Sequence, residues 1–168
     1  MTATTRVEIT KPEFSELVGL LRHCGEVVSF FLKPTPSIRP AFNASQPVAP
    51  LLADEEFCAL ARDLGTVAVN PGRYSTLNRL EFEGSLVAVA RAGGCHRSTA
   101  GMSEDRIRGT VKAGLAAAFP EPFNELHVFR FDDEKWCQAT EDATLFASYV
   151  VWQGARGLWW VLSISDID

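Results

Sequence analysis

The sequence has no long apolar run, no excess of basic residues and no clustered cysteines, and each absence removes a class of function. No apolar stretch reaches the ~18 residues that a membrane-spanning helix needs. The opening segment Met1–Thr5 is small and polar and carries no apolar core of a secretory signal. Lys and Arg number 16 against 21 Asp and Glu, for a formal net charge of −5. A nucleic-acid binder neutralises phosphates with a basic face. Here the densest basic segment, Arg106, Arg108 and Lys112, is interleaved with Glu104 and Asp105, so nucleic acid is disfavoured as a partner. The four cysteines, Cys24, Cys58, Cys95 and Cys137, show no C-x-x-C spacing. That excludes the usual zinc-ribbon pattern and favours reduced thiols in a cytoplasm over a disulfide framework.

What is present is an ordinary globular composition. Hydrophobic residues make up 46% and charged residues 22%, which argues against disorder. A chain of 168 residues is the size of one domain, here residues 1–168, and folding at that length buries roughly 70% of the unfolded surface without staples.

Periodicity supplies the elements. Arg6–Thr10 alternates and opens the fold as a short strand. Thr10 and Glu13 stand in capping-box spacing ahead of Phe14, Leu17, Val18 and Leu21, a single helical face, and Gly25 is placed to end that helix. Val27–Leu32 is β-branched and aromatic, a strand covered on both faces. Five prolines between Pro34 and Pro50 preclude regular structure and predict a long ordered loop. Asp54 caps a second helix carrying Phe57, Leu60, Ala61 and Leu64, stopped by Gly65. Strands are then expected at Thr66–Val69, Thr76–Phe82 and Ser85–Arg91, with Asn70-Pro71-Gly72 and Glu83-Gly84 as turns. A third helix starts near Ser103, with Ile107, Val111, Leu115 and Phe119 in one stripe, before Pro120 and Pro122 end it. Leu126–Phe131 is the next strand, a short helix is expected around Trp136, and Thr144–Gln153 with Leu158–Ser165 reads as a closing hairpin. These elements predict an α+β fold: a mixed, mostly antiparallel sheet of about six to eight strands with three helices packed on it.

Two surfaces stand out as candidate sites. The first is acidic: Asp132, Asp133, Glu134, Glu141 and Asp142 bracket Trp136, and carboxylates around an exposed aromatic anchor suit a basic protein surface. Small size, acidity and clustered tryptophans point to a non-catalytic binding module, such as an immunity protein or a phage-type inhibitor, that works without a cofactor. The second is Ala92–Ser103, between an expected strand and an expected helix. Gly93, Gly94 and Gly101 would let backbone N–H groups approach an anion, and Arg97, Ser98 and Thr99 could donate to it. The order of elements is similar to that of acyl-CoA N-acetyltransferases of the GNAT type. Those proteins carry an arginine- or glutamine-led glycine motif at this place, where Arg97–Met102 has its first glycine displaced by one position and lacks the second. The resemblance implies a small acyltransferase with an anionic cofactor at this loop, the alternative to the binding module.

Other constellations are weaker. Cys95–His96 and His23–Cys24 are adjacent pairs, but sequence neighbours seldom face each other, and adjacency is the wrong spacing for zinc ligands. His127 lies in a strand with Phe129 and Phe131 on its face, which suits a hydrogen-bonded residue at the edge of a core. Trp159 and Trp160 must point to opposite sides of their strand, so the last hairpin needs cover on both faces or leaves one indole exposed.

Overall fold

The computed structural model describes residues 3–42, 45–95, 98–120 and 126–167. Six strands form one sheet: β1 (Thr5–Val7), β2 (Glu26–Lys33), β3 (Tyr74–Leu77), β4 (Leu126–Phe131), β5 (Leu145–Gln153) and β6 (Leu158–Asp166), in the order β1-β2-β6-β5-β4-β3. Every pairing is antiparallel. The expected α+β class therefore holds, and among the described residues the sheet is antiparallel throughout rather than mixed. The closing hairpin forms the centre, running from Leu145↔Asp166 to Gln153↔Leu158.

Strand parity sorts the sheet's side chains into two cores. On one face, Phe31, Val128, Tyr149, Val151, Trp160 and Leu162 pack against three helices: α1 (Pro12–Leu21), α4 (Arg79–Ala92) and α5 (Glu104–Ala118). On the other, Phe30, Leu32, Phe129, Phe131, Val150, Trp152, Trp159 and Val161 are covered by short pieces, α2 (Ala49–Leu52), α3 (Glu55–Leu60) and 3-10 turns. Both faces being covered, Trp159 and Trp160 are each fully buried on opposite sides. The Trp159 indole donates to Ile38 O at 2.7 Å and that of Trp160 to Ser29 Oγ at 2.9 Å. Ile38 and Val48 of the proline-rich stretch are buried in the second core, and the stretch holds a 3-10 turn, Pro36–Ile38, and the start of α2, regular structure that its prolines were expected to preclude.

Helices α1 and α5 cross at Gly114. A Cβ there would strike the Leu17 Cβ, stand 2.8 Å from Leu17 Cδ2 and 3.0 Å from Glu13 O, so only glycine allows this approach. The third helix begins as expected: Ser103 Oγ accepts from Arg106 N at 3.2 Å. Asp54 likewise caps α3 by accepting from Phe57 N.

The main correction concerns residues 76–92. The expected strands Thr76–Phe82 and Ser85–Arg91 are instead the end of β3 and the 14-residue helix α4. Its N-cap, Asn78, accepts from Leu80 N and Glu81 N, and Glu81 accepts from Asn78 N, a complete capping box. Phe82, Leu86, Val87 and Ala90 are the buried stripe, while Leu80 is 78% exposed. A two-residue alternation over Arg79–Phe82 and a β-branched run mimicked strands, but packing of a four-residue period decided the outcome. Three smaller readings also change. Thr66–Val69 makes only an isolated bridge, Val67↔Cys137. The N-cap of α1 is Lys11 rather than Thr10, with no side-chain cap. That helix ends at Leu21, and Gly25, at φ 152, instead lets the start of β2 pass against the Ser165 carbonyl.

Candidate functional site

The acidic segment leaves β4 at Phe131 and is fixed at nearly every step. Asp132 N donates to Arg73 O at 3.0 Å. The Asp132 carboxylate accepts from Ser75 Oγ at 2.6 Å and Arg130 Nε at 3.2 Å. Asp133 accepts from Lys135 N at 2.9 Å and so caps the 3-10 turn Glu134–Trp136. Its carboxylate rests over Gly72, where φ is +72 and a Cβ would come within 2.7 Å of Oδ2. The Asn70-Pro71-Gly72 turn thus serves the acidic segment.

Trp136 is the anchor, though not in the expected sense. It is 0% exposed and stacks on Phe131 with ring centroids 4.5 Å apart and planes 8° from parallel. The expectation of an exposed aromatic is corrected: the indole points inward because it completes the second core, leaving only its neighbours outside. The backbone on either side is tied to residues 66–68, by Ala68 N to Trp136 O and Gln138 N to Thr66 O, both 2.8 Å. A second 3-10 turn, Gln138–Thr140, follows, and buried Thr140 donates to Glu134 O.

The result is an acidic ridge. Asp132, Glu141 and Asp142 are exposed, and Asp133 and Glu134 half-buried. Among the described residues Glu134, Glu141 and Asp142 make no salt bridge. Beside the ridge lies a shallow depression of about 430 Å³ lined by Thr66, Ala68, Lys135, Cys137, Gln138 and Glu141. The Cys137 thiol beneath is buried, and burial pushes its pKa up against the opposing Thr140 hydrogen bond, so it stays protonated at neutral pH. This site can present carboxylates, one ammonium and peptide groups. It holds no activated nucleophile.

The glycine loop is arranged differently. Helix α4, rather than a strand, precedes it, which removes the strand–loop–helix arrangement expected there. Gly93, at φ 69, ends α4. Gly94 sits against the Cys24 carbonyl, 2.7 Å from where a Cβ would be, and against the Asp166 carboxylate. Cys95 N donates to that same carboxylate, so an internal anion occupies one of the loop's backbone donors. Ser98 Oγ accepts from Ala100 N, and Thr99 Oγ1 donates to Ala90 O. Gly101 has open space around it. Arg97 and His96 lie outside the described residues.

Gly94, next to Cys95, lies against the Cys24 backbone, but the Cys24 thiol is buried and donates to Val89 O at 3.5 Å. Burial, with Asp166 nearby, pushes its pKa up to about 11. Among the described residues no group of three or more His, Cys, Asp and Glu could hold a metal ion. His127 is half-buried with its ring 4.4 Å from that of Phe42. The cysteines are all free, and no helix among the described residues is long and apolar enough to cross a membrane.

Sequence reasoning missed three features of this geography. Asp166 as the loop's internal anion and residues 66–68 as the ridge's backing strip are long-range pairings with no local signal. The groove between α4 and α5 follows only once residues 79–92 are a helix, for which the Asn78–Glu81 spacing is the local signal. Comparisons with protein-family models, curated proteins and solved structures find no match for this chain.

Proposed function

We propose that this protein is a non-catalytic binding module that occupies a basic surface of a partner protein through the acidic ridge, in the manner of an immunity or inhibitor protein. The observation that carries the reading is the fixed geometry of the ridge. A solvated charged loop would have to be ordered on binding, at roughly 0.5–1.5 kcal/mol per immobilised side chain plus the backbone. Here the buried Trp136–Phe131 stack, the Asp133 cap and the two hydrogen bonds to residues 66–68 hold the backbone in advance. The carboxylates of Glu134, Glu141 and Asp142 are left to face a partner. The depression beside Glu141 has room for a Lys or Arg side chain, and carboxylate–guanidinium pairing there would give register as well as attraction.

The test is affinity capture from the native host at physiological salt with the wild-type chain and with the triple variant Glu134→Lys, Glu141→Lys, Asp142→Lys. The expected result is a basic protein retained by the wild type and lost by a variant whose circular dichroism is unchanged. Capture of nothing, or equal capture by both, contradicts the reading.

A further inference from the structure

Helices α4 and α5 lie side by side on the sheet face that does not carry Trp136. Between them runs an open groove of about 480 Å³ lined by Leu80, Glu83, Gly84, Val87, Ala88, Arg91, Arg108, Gly109 and Lys112. Three of its features stand out. Gly84 and Gly109 sit in helix interiors, where glycine costs about 1 kcal/mol relative to alanine. A Cβ at either would meet nothing within 4 Å, so neither glycine is there to let α4 approach α5, in contrast to Gly114. Leu80, at one end, is 78% exposed.

The charge of the groove is the third feature. In a chain of net −5, its walls carry Arg91, Arg108 and Lys112 against the single carboxylate of Glu83. Glu83 is spent on Arg79, 2.9 Å away. Glu104 already bridges Arg91 at 3.3 Å and Arg108 at 2.7 Å, which shows that a carboxylate is accommodated on this wall. Lys112 is exposed and makes no ion pair among the described residues.

We infer that the α4–α5 groove is a second docking site, which receives an acidic amphipathic helix of a partner protein. The two glycines open the groove floor so that a third helix can approach closely. Its apolar face covers Leu80, Val87 and Ala88, and a carboxylate of it meets Lys112. Charge complementarity selects this occupant: a basic helix would meet Lys112 with like charge and a neutral one would leave it unmatched, since Arg91 and Arg108 already share Glu104.

The probe is a fluorescent helical peptide of ~15 residues with leucine on one face and glutamate on the other, titrated against the full chain by anisotropy. A control peptide has lysine in place of glutamate, and a single-stranded DNA oligomer supplies a polyanion without an apolar face. Saturable binding of the acidic peptide is expected, weakened about tenfold or more by Lys112→Glu. The double variant Gly84→Leu, Gly109→Leu should also abolish it, while melting no lower than the wild type, because a Cβ at either position meets nothing within 4 Å and glycine is a poor helix former. No saturable binding, equal binding of the lysine peptide or the DNA, or full binding by the filled-groove variant would overturn the inference. The ridge variant E134K/E141K/D142K should bind the peptide like the wild type, which separates failure here from failure of the ridge.

Discussion

Replacing Trp136 by alanine would leave a void under the ridge where the indole now stacks on Phe131. Large aromatic-to-alanine changes in a core cost about 3–5 kcal/mol, and this one should also free the backbone of residues 132–142. Trp136→Phe should be milder. It keeps a ring against Phe131 and deletes an indole N–H that is buried without a hydrogen-bond partner among the described residues. Denaturant midpoints of the two variants check the order. Cys24 supplies a pH signature at the same scale. Its folded pKa is raised to about 11 from an ordinary value of 9.0, chiefly by burial. The unfolded chain therefore releases the thiol proton first as pH rises. Stability from this group is fully present below pH ~9 and is lost between ~9 and ~11, above which both states are ionised. Cys24→Ala should flatten that part of the stability–pH curve. If the slope between those values is the same in wild type and variant, the thiol is not the group responsible.

Among the elements, α4 shows how far a sequence can be read. Its cap, Asn78-x-x-Glu81, and its buried stripe are local signals that were legible in principle, yet Arg79–Phe82 alternates like a strand and Glu83-Gly84 looks like a hairpin turn. The competing local patterns are of similar strength, and what resolves them is the sheet face waiting to be covered, which no local window contains. By contrast α5, β4 and the final hairpin were legible because cap, period and turn all agreed. The acidic residues of the ridge were legible as charges; the inward turn of Trp136 was not, because it depends on pairing with Phe131 and on residues 66–68. Asn78→Ala should lower stability by about 1 kcal/mol, as loss of an N-cap does. The helix glycines divide sharply. Gly114→Ala should destabilise, since its Cβ would strike Leu17, whereas Gly84→Ala and Gly109→Ala should stabilise by about 0.5–1 kcal/mol, because nothing stands within 4 Å. Thermal melts of the three variants decide it, and a stable G114A would contradict the close α1–α5 approach.

For the whole molecule, the central fact is that one antiparallel sheet is covered on both sides by unlike layers. Three long helices make one layer and present a groove with a local excess of positive charge. Short helices and 3-10 turns make the other and present the acidic ridge. Both layers pack on the same sheet. The molecule's two most buried thiols, Cys24 and Cys137, have raised pKa values, and one backbone donor of the glycine loop, Cys95 N, is bonded to Asp166.

The measurement that bears most directly on the ridge is amide hydrogen exchange, on the free protein and on its complex with the captured partner. The Ala68 and Gln138 amides, bonded across to Trp136 and Thr66, should be protected in the free protein to a degree approaching the central strands, and exchange across residues 132–142 should slow further in the complex. Exchange of those amides at unstructured rates in the free protein, or protection on binding confined to some other surface, would contradict the account.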